Sequence, residues 1–323
     1  MASPIALGHA GWLRPGPYRW VRALGWLCLL TILCVAAFNV AADASLRLAA
    51  LAAGETFVSR AASPAGARLL AVLTGSAAML GVYAAAVALV ERRRVPEVGL
   101  ARLLPDLLGG LLIGGLLIAA IVAPMWGAGW VRITTTPVTH IAEALKQSVQ
   151  SGVIEEVVMR IILFRLLWRA IGVVPALILT ALVFGGLHLS NPDSSLFAAL
   201  CLIAGEGVAA GLYLLTGRVW MAIGMHAGWN FAQGWIFGAV VSGTDGFGGG
   251  PLRTAPAEGV SAFLSGGGFG PEASLSALAV SLIASIAFLM AAWKRGRFVT
   301  DPPPDKDGAA APADSDRRTE ESP

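Results

Sequence analysis

Windows of about 20 consecutive apolar residues recur along this chain, and that length is what an α-helix needs to cross ~30 Å of hydrocarbon. Such windows fall at roughly 23–42, 69–90, 107–126, 196–215, 219–241 and 274–293. Two further segments, about 142–165 and 173–190, are helical in period and apolar but are interrupted by polar residues. Hydrocarbon offers backbone groups no water to bond, so runs this long must close their hydrogen bonds internally as helices. The expected fold is therefore all-α: a polytopic membrane helix bundle of about eight transmembrane helices. Composition agrees, with 56% of the 323 residues hydrophobic and only 13% charged, where soluble domains run near a quarter charged. The first window follows Arg14, Arg19 and Arg22, as a secretory signal would. Its apolar core is too long for one and reads as an anchor.

Positive charge orients the bundle. Arg14, Arg19 and Arg22 precede the first helix, Arg92, Arg93, Arg94 and Arg102 separate the second and third, and Arg165 and Arg169 follow the fourth. Arg218 lies between the sixth and seventh, and Lys294, Arg295 and Arg297 end the eighth. All share one side if both termini are cytoplasmic, with Arg47, Arg60, Arg68 and Arg132 as the dissent. The Ala-, Gly- and Arg-rich composition suggests a bacterial source, hence the inner (cytoplasmic) membrane. A net charge of +3 with no basic stripe gives membrane lipid as a partner and excludes nucleic acid. Cys28, Cys34 and Cys201 lie in apolar stretches and read as packing residues.

The chain divides into 1–140, three transmembrane helices with a short interfacial helix around Leu46, Leu48 and Leu51; a core over 141–241; a Gly- and Pro-rich outer loop over 242–272, read as a linker in preference to a lid; a last helix over 273–299; and a tail over 300–323. The tail opens on Pro302, Pro303 and Pro304 and has too little to bury to offset chain entropy, so disorder is expected. No internal repeat is visible.

The core carries what a membrane helix ordinarily excludes. Each charge at bilayer depth costs roughly 2.5–3.5 kcal/mol even on gentle scales, yet Glu155 and Glu156 stand side by side with Arg160 four residues on. Glu156 and Arg160 share a helix face and can pair, Glu first, the favourable order. Glu155 lies ~100° around the helix, in a small or polar stripe with Ser148, Ser151, Gly152 and Met159. Downstream, Phe184 and His188 share a face, as do His226 and Asn230, with Gly224 and Gly228 at the spacing of close helix packing. Glu206 is a further intramembrane carboxylate, expected to pair with Arg160 or Arg218. One alternative makes Glu155, Glu156 and Arg160 a buried ion network with no chemical role.

No activated serine, no cysteine beside a histidine and no H-E-x-x-H helix is present, which argues against a covalent nucleophile or a standard zinc-protease helix. What remains is a water held by Glu155 and His188, with His226 and Asn230 donating to the oxyanion of a tetrahedral intermediate. A zinc or other divalent metal on Glu155, His188 and His226 would activate the same water by another route.

These residues carry a resemblance. E-E-x-x-x-R (Glu155, Glu156, Arg160), F-x-x-x-H (Phe184, His188) and H-x-x-x-N (His226, Asn230), in order on successive membrane helices, resemble the CPBP family, which contains CAAX prenyl proteases and bacteriocin-processing intramembrane endopeptidases. The run from Thr216 to His226 resembles the family's approach to its last histidine, and the likeness covers roughly 142–241. It implies an eight-helix fold, a cavity opening from the membrane, and an intramembrane endopeptidase acting on a membrane-associated protein or peptide. By matching position, Glu155 and His188 activate water, His226 and Asn230 stabilise the oxyanion, and Glu156, Arg160 and Phe184 support them. Glu206 departs from the pattern, standing where the family is normally apolar. An inactive membrane scaffold of the same fold and a transporter using the buried charges are the competing readings; a transporter would show paired repeats and broken helices. The segment ends put Glu155 at mid-membrane, His188 near the outer end and His226 nearer the inner. Convergence therefore requires the fifth helix to run on towards residue 195 or the helices to tilt strongly.

Overall fold

The computed structural model describes residues 5–247 and 249–298, so the expectation for the 300–323 tail lies outside the described residues. Eight long helices make up the described chain: α1 (Arg19–Ala52), α2 (Ala65–Glu91), α3 (Leu103–Gly127), α4, α5 (Val173–Leu187, ending in a 3-10 turn His188–Ser190), α6 (Leu196–Thr216), α7 (Trp220–Phe231, ending in a π-helical turn Ala232–Ile236) and α8 (Leu275–Lys294). Helix α4 starts as Ile141–Glu156, passes through a π-helical stretch Val157–Phe164 and ends as Arg165–Ile171. Six of the eight are long and apolar enough to cross a membrane. The other two are α4, interrupted by Glu155, Glu156 and Arg160, and the shorter α7. The chain is a multi-pass membrane helix bundle.

Two expectations need correction. Leu46, Leu48 and Leu51 form no separate interfacial helix; they are the last turns of α1, which runs 34 residues, about 51 Å. No glycine or proline interrupts the chain between Gly25 and Gly54, so helical hydrogen bonding continues past the hydrocarbon. The 242–272 segment is no bare linker either. Within it, β2 (Leu252–Pro256) pairs antiparallel with β1 (Val131–Thr135), Val131 opposite Pro256 and Thr135 opposite Leu252. A short helix Ala262–Ser265 and a 3-10 turn Pro271–Ala273 follow.

Hydrogen bonds define the two ends of the bundle. At one, which holds Arg92, Arg94 and Arg102, Arg165 donates to Glu91 at 2.7 and 2.8 Å and to the Leu7 carbonyl at 3.3 Å. Arg169 donates to the Gly8 and Leu13 carbonyls, so the segment ahead of α1 is strapped across this end with Ile5, Leu7 and Leu13 buried. Glu97 accepts from Tyr83 at 2.5 Å and from Arg93, and Arg218 pairs with Asp106 at 2.5 Å. Burial alone would lower the Arg93 pKa, but the bonds and charges of Glu97, Tyr83 and Glu91 raise it above its ordinary value, so Arg93 stays charged. At the other end, the far end, Thr136 N–H donates to the Pro251 carbonyl, Asn191 to the Ser242 carbonyl, and Ser242 to Glu272.

Helix α3 and α7 approach until their backbones touch. A Cβ on Gly224 or Gly228 would run into the Leu107 or Leu111 carbonyl of α3, and one on Gly110 or Gly114 into the Met221 or Met225 carbonyl of α7. This reciprocal small-residue seam fixes the height and rotation of α7, and so of His226 and Asn230. Gly110→Ala and Gly224→Ala should each destabilise the fold by about 1–3 kcal/mol through overpacking. Gly81→Ala in α2, where nothing lies within 4 Å, should be neutral. Thermal unfolding of the three variants in one detergent checks the ranking.

Candidate active site

The polar residues singled out in the core, Ser148 excepted, face one cavity of about 320 Å³, lined by α4, α5, α6, α7 and α8 and by residues of 241–247 and Glu272. Glu155, Glu156, Arg160, Phe184, His188, Glu206, His226 and Asn230 all contribute to its wall. The disparity in depth is absorbed by the 3-10 turn that carries His188 past the end of the α5 spiral, and by a cavity that runs along the bundle from Arg160 to Ser242.

Arg160 forms the floor. It is 1% exposed and donates to both Glu206 oxygens, through Nη2 at 2.8 Å and through a short contact from Nη1. Its Nε lies 2.8 Å from Glu156 Oε2 and its Nη2 3.3 Å from Oε1. Glu206 thus takes the expected partner Arg160, while Arg218 is occupied by Asp106. A buried guanidinium needs this many acceptors because unpaired charge in the interior costs several kcal/mol. The π-helical stretch that contains Arg160 lies where such bulges are frequent, beside a functional cluster.

The other oxygen geometry of Glu156 places the first histidine. His226 Nδ1 donates to Glu156 Oε1 at 2.9 Å, which assigns the ring tautomer and turns Nε2 towards Glu155, 3.6 Å from Oε2. Glu155 Oε2 is buried and accepts no hydrogen bond within the protein. A carboxylate oxygen and an imidazole nitrogen at this separation, on a cavity wall, can share one water. His188 is set by the same logic. Its Nδ1 donates to the Phe184 carbonyl at 2.8 Å, leaving Nε2 as the free ring nitrogen. The Phe184 ring packs on His188 with centroids 4.5 Å apart and meets His226 edge-on at 6.3 Å, so it spaces the two imidazoles.

Asn230 is 7% exposed and donates through Nδ2 to Ser151 Oγ at 2.8 Å, and Ser151 in turn donates to the Gln147 carbonyl at 3.0 Å. One amide hydrogen of Asn230 remains for a ligand. The stripe on α4 meets α7 here: a Cβ on Gly152 would lie 3.1 Å from the Ile223 carbonyl, so the glycine lets the two helices close. Sequence reasoning placed Ser151 in the stripe but gave it no partner. It missed Glu272 altogether. That carboxylate, 4% exposed, accepts from Trp229 Nε1 at 3.0 Å and from Ser242 N–H and Oγ at 2.6 and 2.7 Å, tying the far-end loop to α7. Its one local signal was its place just ahead of an apolar helix, with Ser274 capping α8.

A metal on Glu155, His188 and His226 needs three donors converging at bond length. Among the described residues no three His, Cys, Asp or Glu side chains form such a group. His226 Nδ1 is held by Glu156 and His188 Nδ1 by a carbonyl, which leaves Nε2 on each ring; a histidine that binds a metal is held in the same way, its other ring nitrogen donating to a carboxylate or carbonyl.

The helix bundle thus sets a carboxylate, two oriented imidazoles and an amide around one cavity. Residues 117–232 match the family model described as Rce1-like, type II CAAX prenyl endopeptidase Rce1-like. The resemblance carried by the three motifs is borne out over that segment, which starts inside α3. No curated protein and no solved structure matches the chain.

Arg160→Met would leave Glu156 and Glu206 buried without their cation, at about 3–5 kcal/mol. It should lose most of its monodisperse yield on size-exclusion chromatography. Glu206→Gln leaves Arg160 paired with Glu156 and should elute with the wild type.

Proposed function

We propose that this chain is an intramembrane endopeptidase that hydrolyses a peptide bond of a membrane-associated protein or peptide, with water activated by Glu155 and His188. The observation that carries the reading is the buried Glu155 oxygen on the cavity wall, which accepts no hydrogen bond from the protein and lies 3.6 Å from an imidazole nitrogen. A buried acceptor that nothing meets costs roughly 1–3 kcal/mol, and a water shared with that imidazole meets it. The family matched over residues 117–232 is one of endopeptidases, which supports the same reaction.

In the reaction, the water oxygen attacks the scissile carbonyl carbon as its proton passes to Glu155. The carbonyl oxygen takes up negative charge and is met by the free Asn230 amide hydrogen, with His226 beside it. The C–N bond then breaks and the proton held on Glu155 goes to the leaving amine nitrogen, giving a carboxylate and an amine. His188, with Nδ1 anchored, presents Nε2 to the same water. Neither histidine is asked to hold a metal. The protein lies in the cytoplasmic membrane of its cell with both termini on the cytoplasmic side.

Glu155→Ala and His188→Ala should abolish cleavage while the proteins remain folded in detergent. Cleavage is read as new N-termini in the membrane proteome of cells expressing wild type, absent with Glu155→Ala. Asn230→Ala should slow their appearance on the order of 100- to 1000-fold, the usual loss for one oxyanion donor. Normal cleavage by Glu155→Ala would end the water-activation assignment.

Chelation separates the metal-free mechanism from its rival. With peptides copied from the cut segments, EDTA treatment of the purified chain should leave turnover unchanged. One tightly bound zinc per chain, with activity lost on its removal and restored on its return, would move Glu155 and His226 into a ligand set.

A further inference from the structure

The cavity has a floor and a mouth, and they lie at opposite ends of the bundle. Its floor is the Arg160–Glu206 pair together with Glu156. Beyond the floor, towards the basic end, the space is filled: Ile161, Ile162, Phe164, Tyr83 and Tyr213 are fully buried, and Arg165 and Glu91 close the end behind them. Nothing of peptide size passes that plug. The mouth is polar and sits at the far end, where Gln147, Asn191, Ser242 and Thr244 line the cavity. Asn191 donates to the Ser242 carbonyl at 3.0 Å, so the rim is made by the α5–α6 turn and the 237–274 connection, both at the far end.

The cavity wall is also discontinuous. Helix α5 packs against α6 and against the Val157–Ile171 part of α4, with no comparable packing on Ile141–Glu156. The two helices diverge towards the far end. Between them lie Ile154 and Glu155 on one side and Phe184 and His188 on the other. Outward of the gap, α5 shows the bilayer Ile178, Leu182 and Leu187, all exposed. The opening therefore faces both far-end water and the adjacent half of the bilayer.

The two ends differ in their Lys and Arg. The basic end exposes Arg14, Arg19, Arg92, Arg94, Arg102, Lys294 and Arg295, and the far end Arg47, Arg60, Arg132 and Arg253, of which Arg60 pairs with Asp43. Excess Lys and Arg in short loops marks the cytoplasmic side.

We infer that the site opens on the non-cytoplasmic side, so its substrate is an exported polypeptide whose scissile segment lies at the outer face or in the outer leaflet. The inference rests on the peptidase reading for its chemistry and on the plug, the mouth and the charge asymmetry for its direction. The rim offers amides and hydroxyls and no exposed cation at Gln147, Asn191, Ser242 and Thr244, a lining that suits extended peptide backbone more than an anionic headgroup.

Two measurements on the full chain test it. Ser190→Cys and Asp245→Cys, both exposed at the far end, and Arg94→Cys and Arg102→Cys, exposed at the basic end, are treated in spheroplasts with a membrane-impermeant maleimide. Wild type supplies the background of Cys28, Cys34 and Cys201. Far-end cysteines should label before lysis and basic-end cysteines after it; the reverse pattern overturns the inference whether or not the chain cleaves anything. Second, the Glu155-dependent new N-termini are mapped on the topology of the proteins cut. They should lie in exported segments or outer membrane halves. Cytoplasmic positions overturn the inference while leaving the peptidase standing. If no Glu155-dependent terminus forms, the peptidase reading falls and the substrate class with it, while the labelling still reports which way the cavity faces.

Discussion

Arg160 is a guanidinium buried to 1% exposure in a chain built for hydrocarbon, and the arrangement of the core follows from satisfying it. Planar and always charged, it presents a fork of donors. Glu206 on α6 takes one pair of them and Glu156, one turn back on α4, takes the rest. Glu156 then has an oxygen to share with His226 on α7. One cation thereby sets the relative rotation of three helices. The same arrangement explains why Glu155 and Glu156 are adjacent: the second is consumed by structure, and the first is turned by the helical step onto a different surface. The energy of such a network is modest, since burying paired charge roughly breaks even, but losing one member is costly. Its worth is in orientation.

Backbone contact completes what the charges begin. Helix α7 must bring His226 and Asn230 to a common face at the right height, and no ion pair fixes height along a helix well. The seam of Gly110 and Gly114 against Gly224 and Gly228 does, because carbonyls of one helix seat where the other has no Cβ. The family match begins at residue 117, inside α3 and just past the glycines of this seam. In the sequence alone nothing in 103–127 bears chemistry, and its glycines read simply as apolar helix.

What was legible in the chain was what local pattern encodes. Apolar windows of crossing length located the helices, and polar residues inside them located the site, because both stand out against hydrocarbon. Pairings between distant segments were not legible. The β-branched run Val131–Thr135 has a strand's composition, but its partner Leu252–Pro256 lies in a glycine- and proline-rich stretch that reads as a connection. Glu272 looked like one more loop acid, since its three donors come from Trp229 and Ser242, 43 and 30 residues away. His226 was assigned with Asn230 to the oxyanion; the structure adds that its Nδ1 is already committed to Glu156. The end of α1 was misplaced because Asp43 and Arg47 resemble a membrane boundary, and a boundary in hydropathy is not a boundary in hydrogen bonding.

The scaffold reading and the enzyme reading predict different distributions of satisfied groups. A scaffold's network is best when closed: each donor finds an acceptor, and rigidity follows. Arg160, Glu206 and Glu156 are joined by ion pairs, though Arg160 Nε and Glu156 Oε2 make no hydrogen bond. Next to them, Glu155 Oε2 is buried and open, His188 keeps one ring nitrogen free while Phe184 holds the other, and Asn230 spends one amide hydrogen on Ser151 and keeps one. Three groups of complementary character, an acceptor, a base and a donor, face the cavity, the base held on its other side by Phe184 and the donor by Ser151. Leaving them unspent costs stability with no structural return, and a bundle selected only for stability would replace them with apolar side chains. Preorganised, half-satisfied polar groups around a space are what stabilises charge that exists only during a reaction, and this is the part of the molecule that packing alone does not account for.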